Sequence, residues 1–129
     1  MPIVSTPDHD LKIVYTTCSS LMTLQDIEHY QYTTWLEPGI YGYNELFDIS
    51  DSDFSLISFS DLIAIAQTAS KLYMLDPNSR IAILAHTQHQ QSLADFYIAA
   101  KEATKGPSRD IKSFDDKQTA MDWLTEKYR

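Results

Sequence analysis

The chain reads as one α/β domain spanning residues 1–129, with a sheet of about five strands, mostly parallel after an N-terminal hairpin, and four helices. Three observations predict it. The run Ile81-Ala82-Ile83-Leu84-Ala85 is apolar without alternation, as in a strand buried on both faces. Leu62, Ile65, Ala66, Ala69, Leu72 and Tyr73 repeat at the helical period. Strand-like and helix-like stretches then alternate to the end of the chain, which implies parallel strands joined by right-handed crossovers.

In chain order, Ile3–Ser5 predicts a short strand, a turn covers Pro7 to Asp10, and Leu11–Thr17 alternates as the second arm of an edge hairpin. Thr23 with Asp26 predicts a capped helix to about Leu36, with Leu24, Ile27, Tyr30 and Thr34 on its apolar stripe and Trp35 beside it. Glu37-Pro38-Gly39 stops it. Tyr41 and Tyr43 flank Gly42 and are expected to shield one end of the sheet, with lining a ligand pocket as the second role. A strand Glu45–Ile49 follows, then a Ser/Asp-rich loop from Ser50 to Phe59, then a helix capped by Ser60. Asp76-Pro77-Asn78 predicts a turn into a strand Arg80–His86. A third helix over Gln90–Lys105 should bury Leu93, Phe96, Tyr97 and Ala100, and Gly106-Pro107 ends it. Asp110–Phe114 predicts a polar edge strand. Asp115 with Gln118 predicts the cap of a last helix burying Ala120, Met121, Leu124 and Tyr128. Ile81, Ile83, Leu84, Phe47, Ile49, Leu62, Ala66 and Phe96 are the expected core.

The composition narrows the function classes. Eighteen acidic residues against ten basic leave a net charge of −8, a field that repels phosphate backbones and anionic lipid surfaces. No nucleic-acid partner is therefore expected. No apolar run approaches membrane-spanning length, and the first ten residues lack the pattern of a signal peptide, so a cytoplasmic protein is expected. Cys18 is the sole cysteine and reads as a structural thiol. Gly39, Gly42 and Gly106 are too few and too scattered for a phosphate-binding loop, and no cofactor is expected.

The stretch Asn44 to Leu62 is the natural place for function, because a strand-to-helix loop of an α/β domain lies at the carboxyl edge of the sheet. Asp48, Ser50, Ser52, Phe54, Phe59 and His86 are the candidate binding residues there. Phe54, Leu56, Ile57 and Phe59 either form an apolar lip or pack onto the sheet, and packing is the favoured role. His86 and His89 open a catalytic alternative with Ser50 or Ser52, for which no G-x-S-x-G elbow is present. With Asp48 and Asp95 the same histidines could ligate a metal, but H-x-x-H spacing is too common to be specific and no metal is expected.

The early hairpin, NELFDIS, a polar loop, SFSDLIAIA, RIAILAH, QSLADFYIAAKEA and FDDKQTAMDWL together resemble the SpoIIAA-like fold, in particular small bacterial STAS/SEC14-like proteins. The resemblance implies one of two activities. STAS antagonists bind a partner protein and are switched by phosphorylation of a serine after the third strand, where Ser50 and Ser52 stand here. The local sequence DISDSDF departs from the Asp-Ser-Ser-Gly pattern of that group, and its carboxylates would repel a phosphate. SEC14-like proteins bind an apolar ligand in a pocket. The expectation is thus a non-catalytic module that binds a protein partner or a small apolar or lipid-like ligand at the carboxyl edge, with a small hydrolase or metal-dependent enzyme using His86 and His89 as the alternative. Self-association as a homodimer is also expected, since right-handed crossovers between sequential strands gather helices on one face.

Overall fold

A computed structural model of the chain describes residues 2–73, 79–104 and 109–126. Among them the strands are β1 (Ile3–Asp8), β2 (Ile13–Leu21), β3 (Asn44–Asp53), β4 (Arg80–Leu84) and β5 (Asp110–Phe114). The helices are α1 (Leu24–Thr34), α2 (Phe59–Tyr73), α3 (Gln88–Ala103) and α4 (Lys117–Leu124). The sheet order is β1-β2-β3-β4-β5, with β1 antiparallel to β2 and every later pair parallel. This is the expected α/β architecture.

Two cores flank the sheet. Ile49, Ile81 and Ile83 pack against Ile27 of α1, Leu62 and Ile65 of α2 and Leu93 of α3. On the other face Ile13, Leu46, Ala82 and Leu84 meet Ala120 and Leu124 of α4. The three crossover helices thus share one side and α4 covers the other over β3 to β5, leaving Val4 of β1 half exposed beyond it. Asn44 and Arg80 hold α4 in place. Asn44 Nδ2 donates to Leu124 O at 2.8 Å and Arg80 Nη1 to Trp123 O at 2.8 Å, satisfying carbonyls that a helix end leaves open.

Parity along the strands groups Leu11, Ile13 and Tyr15 with Phe47 and Ile49 on one face, and strand register corrects that division. Tyr15 pairs with Leu46 and Thr16 with Phe47, so Ile13 and Tyr15 share their side with Leu46, and Phe47 and Ile49 lie on the opposite side. Leu11 belongs to neither set. It lies in the hairpin turn, about half exposed, where Asp8 Oδ1 accepts from the Asp10 and Leu11 amides. Phe47 and Phe96 are only partly buried, while Ile49, Leu62, Ala66, Ile81, Ile83 and Leu84 are buried as expected. Asp76-Pro77-Asn78, Gly106-Pro107 and Tyr128 lie outside the described residues.

The Ser/Asp-rich stretch is strand rather than loop up to Asp53. Ser19, Ser20 and Leu21 of a longer β2 pair with Asp51, Ser52 and Asp53, past a bulge where the register shifts between Thr17 and Ser19. Asp48 Oδ1 accepts from the Ser50 amide at 2.9 Å and from its hydroxyl. Gln90 completes the bulge, donating to Ile49 O at 3.2 Å and Ser50 O at 3.0 Å while accepting from the His86 and Thr87 amides. Side chains that suit a turn in isolation are used here to satisfy a strand.

Helix starts also differ from expectation. Ser58, not Ser60, closes a box with Asp61, its hydroxyl accepting from the Asp61 amide while Asp61 accepts from the Ser58 amide, both at 3.0 Å. Thr87 caps α3, and Asp116 rather than Asp115 caps α4. Ser58→Ala should therefore cost about 1 kcal/mol in urea unfolding and Ser60→Ala much less. An equal loss for both would contradict this cap. Hydrogen bonds from the Thr119 amide and hydroxyl hold the Asp116 carboxyl below its ordinary value. A depressed folded-state pKa gives stability that is full above the unfolded value near about 3.9 and lost as pH falls through the folded one. Asp116→Asn, which still caps, should flatten that acid limb while preserving stability at pH 7, as read by thermal melts from pH 2 to 7.

Candidate functional site

A carboxylate inside the domain organises the site. Glu45, second residue of β3, is 2% exposed. Burying such a group is costly unless its oxygens are matched, and here four partners converge on them. Thr16 Oγ1 donates to Oε2 at 2.6 Å, and the Tyr30 hydroxyl donates to the same oxygen. Trp35 Nε1 lies 3.2 Å from Oε1 and 2.8 Å from the Tyr30 oxygen. Arg109 places Nη1 3.8 Å from Oε1, gives Nη2 to Tyr43 O at 3.0 Å, and has its guanidinium carbon 5.9 Å from the Trp35 ring centroid. Four elements supply these groups: β2, α1 with the residue that ends it, β3, and the residue leading into β5.

Next to this cluster lies a cavity of about 80 Å³ between the sheet and α1, α2 and α3. Ile49, Ile81, Ile83 and Phe47 form its floor, Ile27, Leu62, Ile65, Leu93, Ala94 and Tyr97 its helical walls, and Phe54 closes in from the carboxyl side. Tyr30, Gln31, Trp35 and Glu45 complete the lining. Gln31, 1% exposed, donates Nε2 to Ile65 O at 3.2 Å, whereas its Oε1 is buried without a hydrogen-bond partner among the described residues. A smaller hollow of about 40 Å³ also touches Trp35 and Glu45 and is lined by Tyr41, Gly42, Tyr43 and Arg109. Tyr41 and Tyr43 thus both border this hollow. Cys18, on the same side of the sheet, has its thiol pushed well up by burial, with the Glu45 and Asp48 carboxylates adding to the effect.

No family model and no curated protein matches the sequence. A structural neighbour does: the crystal structure of an uncharacterised protein of the DUF3478 family, described as having a SpoIIAA-like fold, from Shewanella loihica. It is 25% identical, with 95% of this chain and 91% of that one covered, at a TM-score of 0.57. The fold is SpoIIAA-like.

Within the SpoIIAA-like fold, the residues singled out from the sequence scatter along the carboxyl edge. Asp48 and Ser50 serve the β3 bulge, and Ser52 donates to Ile49 O at 2.6 Å. Phe54 is the one that reaches the cavity. Phe59 is 63% exposed and its ring sits 4.5 Å from that of Phe96, centroid to centroid. His86 and His89 are exposed, and neither imidazole hydrogen-bonds to Ser50 or Ser52 among the described residues. Asp95 accepts from Ser113 at 3.2 Å. No group of three or more His, Cys, Asp or Glu residues able to hold a metal occurs among the described residues. No described helix is long and apolar enough to cross a membrane.

Glu45 and Gln31 were not among the sequence candidates. Glu45 carried a signal nonetheless, as an acidic residue in the strand Glu45-Leu46-Phe47 that is otherwise apolar at its start. Gln31 follows Tyr30 on the buried stripe of α1 and resembles any solvent-facing glutamine until α2 is placed against it.

Proposed function

We propose that the protein is a non-catalytic binding module that takes a small apolar ligand, or the apolar end of a larger one, into the cavity beneath α1, α2 and α3. The observation that carries this is the lining itself: a continuous apolar wall with a few placed polar groups, the composition of ligand pockets generally. The histidines do not support the catalytic alternative, since neither His86 nor His89 hydrogen-bonds to Ser50 or Ser52 among the described residues, and those serines donate instead to Asp48 and to the Ile49 carbonyl. Phe54 links the cavity to the edge where a ligand was expected from the sequence. Native mass spectrometry of the protein purified from its own cells tests this. A co-purifying small molecule is expected, and Ala94→Leu, which fills the cavity from α3, should lose it while remaining folded. A bare polypeptide mass in both samples would contradict the proposal.

A further inference from the structure

We infer that two copies of this chain pair through β5, antiparallel and centred on Ile111, so that their sheets join across a twofold axis. β5 is the last strand of the sheet and pairs with β4 alone among the described residues. Its outer side is open: Asp110 and Lys112 are exposed, and a hollow of about 340 Å³ lies against residues 109–112, bordered by Ile98 and Glu102 of α3 and by Trp123 of α4. Phe114 O accepts from the Ala85 amide at 2.8 Å, and because successive carbonyls alternate sides along a strand, Ile111 and Ser113 turn their N–H and C=O away from β4. Such groups are a template for another strand. The opposite edge of the sheet carries Pro7 in β1, a residue type that blunts sheet edges because it has no N–H to give.

A second β5 matches this edge in charge. With Ile111 opposite Ile111, Asp110 of each copy stands opposite Lys112 of the other, in the non-hydrogen-bonded positions where side chains lie closest, and the two isoleucines meet each other. The next register that brings the same backbone groups together is centred on Lys112 and sets two ammonium groups face to face. Charge therefore selects the first. The wider distribution of charge agrees: seven of the ten basic residues but only six of the eighteen acidic ones lie from Lys101 onward, so the acid excess behind the net charge of −8 belongs to the chain before this edge.

Sedimentation equilibrium of the full chain tests the pairing. The unaltered protein should shift toward twice its chain mass across the micromolar range, as small, transient interfaces do. Lys112→Asp and Asp110→Lys each set like charges opposite one another at both positions, and each should weaken association by about tenfold or more. The double exchange of Asp110→Lys with Lys112→Asp restores opposite charges in this register alone and should recover the unaltered affinity. Mixing the two single variants, one with two acids at the edge and the other with two lysines, should likewise restore pairing between unlike chains, and circular dichroism of each variant confirms that it is folded. A monomer at every concentration, single variants that associate as the unaltered chain does, or a double exchange and a mixture that both stay monomeric would overturn the inference.

Discussion

Glu45→Ala is expected to destabilise the protein by about 3–5 kcal/mol, because it removes one member of a buried pair and strands the other. Arg109 is 8% exposed and stands against Glu45 and the Trp35 ring, so its charge would lose its carboxylate without gaining water. The Thr16 and Tyr30 hydroxyls and the Trp35 indole N–H would also lose this carboxylate as their acceptor. Replacing both Glu45 and Arg109 by Met should be milder than the single change, since no charge is then left buried alone. Urea unfolding of the two variants beside the unaltered chain reads this directly. A loss of less than about 1 kcal/mol for Glu45→Ala would mean that water reaches Arg109 and that the cluster is not closed.

Truncating Ile83 to Ala should cost about 2–5 kcal/mol and should also alter what the protein binds. Ile83 lies on β4 between β3 and β5, is buried, and forms part of the cavity floor. Its loss enlarges the cavity, so benzene, too large for about 80 Å³, should protect this variant against thermal unfolding more than the unaltered chain. Leu84→Ala provides the contrast. It faces α4, and a comparable loss of stability there should leave benzene protection unchanged.

These expectations rest on features that differ in how far they can be read from the chain. Helices were legible because their apolar stripes are long: Leu62, Ile65, Ala66 and Ala69 are buried as their spacing requires. Caps were legible to within one or two residues. Ser58, Ser60 and Asp61 stand close together, as do Asp115 and Asp116, and which one closes the box depends on backbone angles rather than residue type. The outer half of β3 was hidden because its partner, the end of β2, is equally polar, and pairing between two polar strands leaves no apolar alternation to read. Face assignment failed for a related reason: parity within a strand is visible in the sequence, but the register of β2 on β3 is not. Function was less legible still. Glu45 meets Arg109 only because the parallel order brings the start of β3 near the entry to β5, and the meaning of Gln31 depends on Ile65 of α2.

The cavity can be tested without knowing the ligand. Crystals of the protein held under xenon pressure should show the gas bound among Phe54, Ile65, Ile83 and Leu93, since xenon enters dry apolar cavities through dispersion alone. Absence of xenon there, with side chains closed over the space between the sheet and α1, α2 and α3, would contradict a ligand-binding role for this fold.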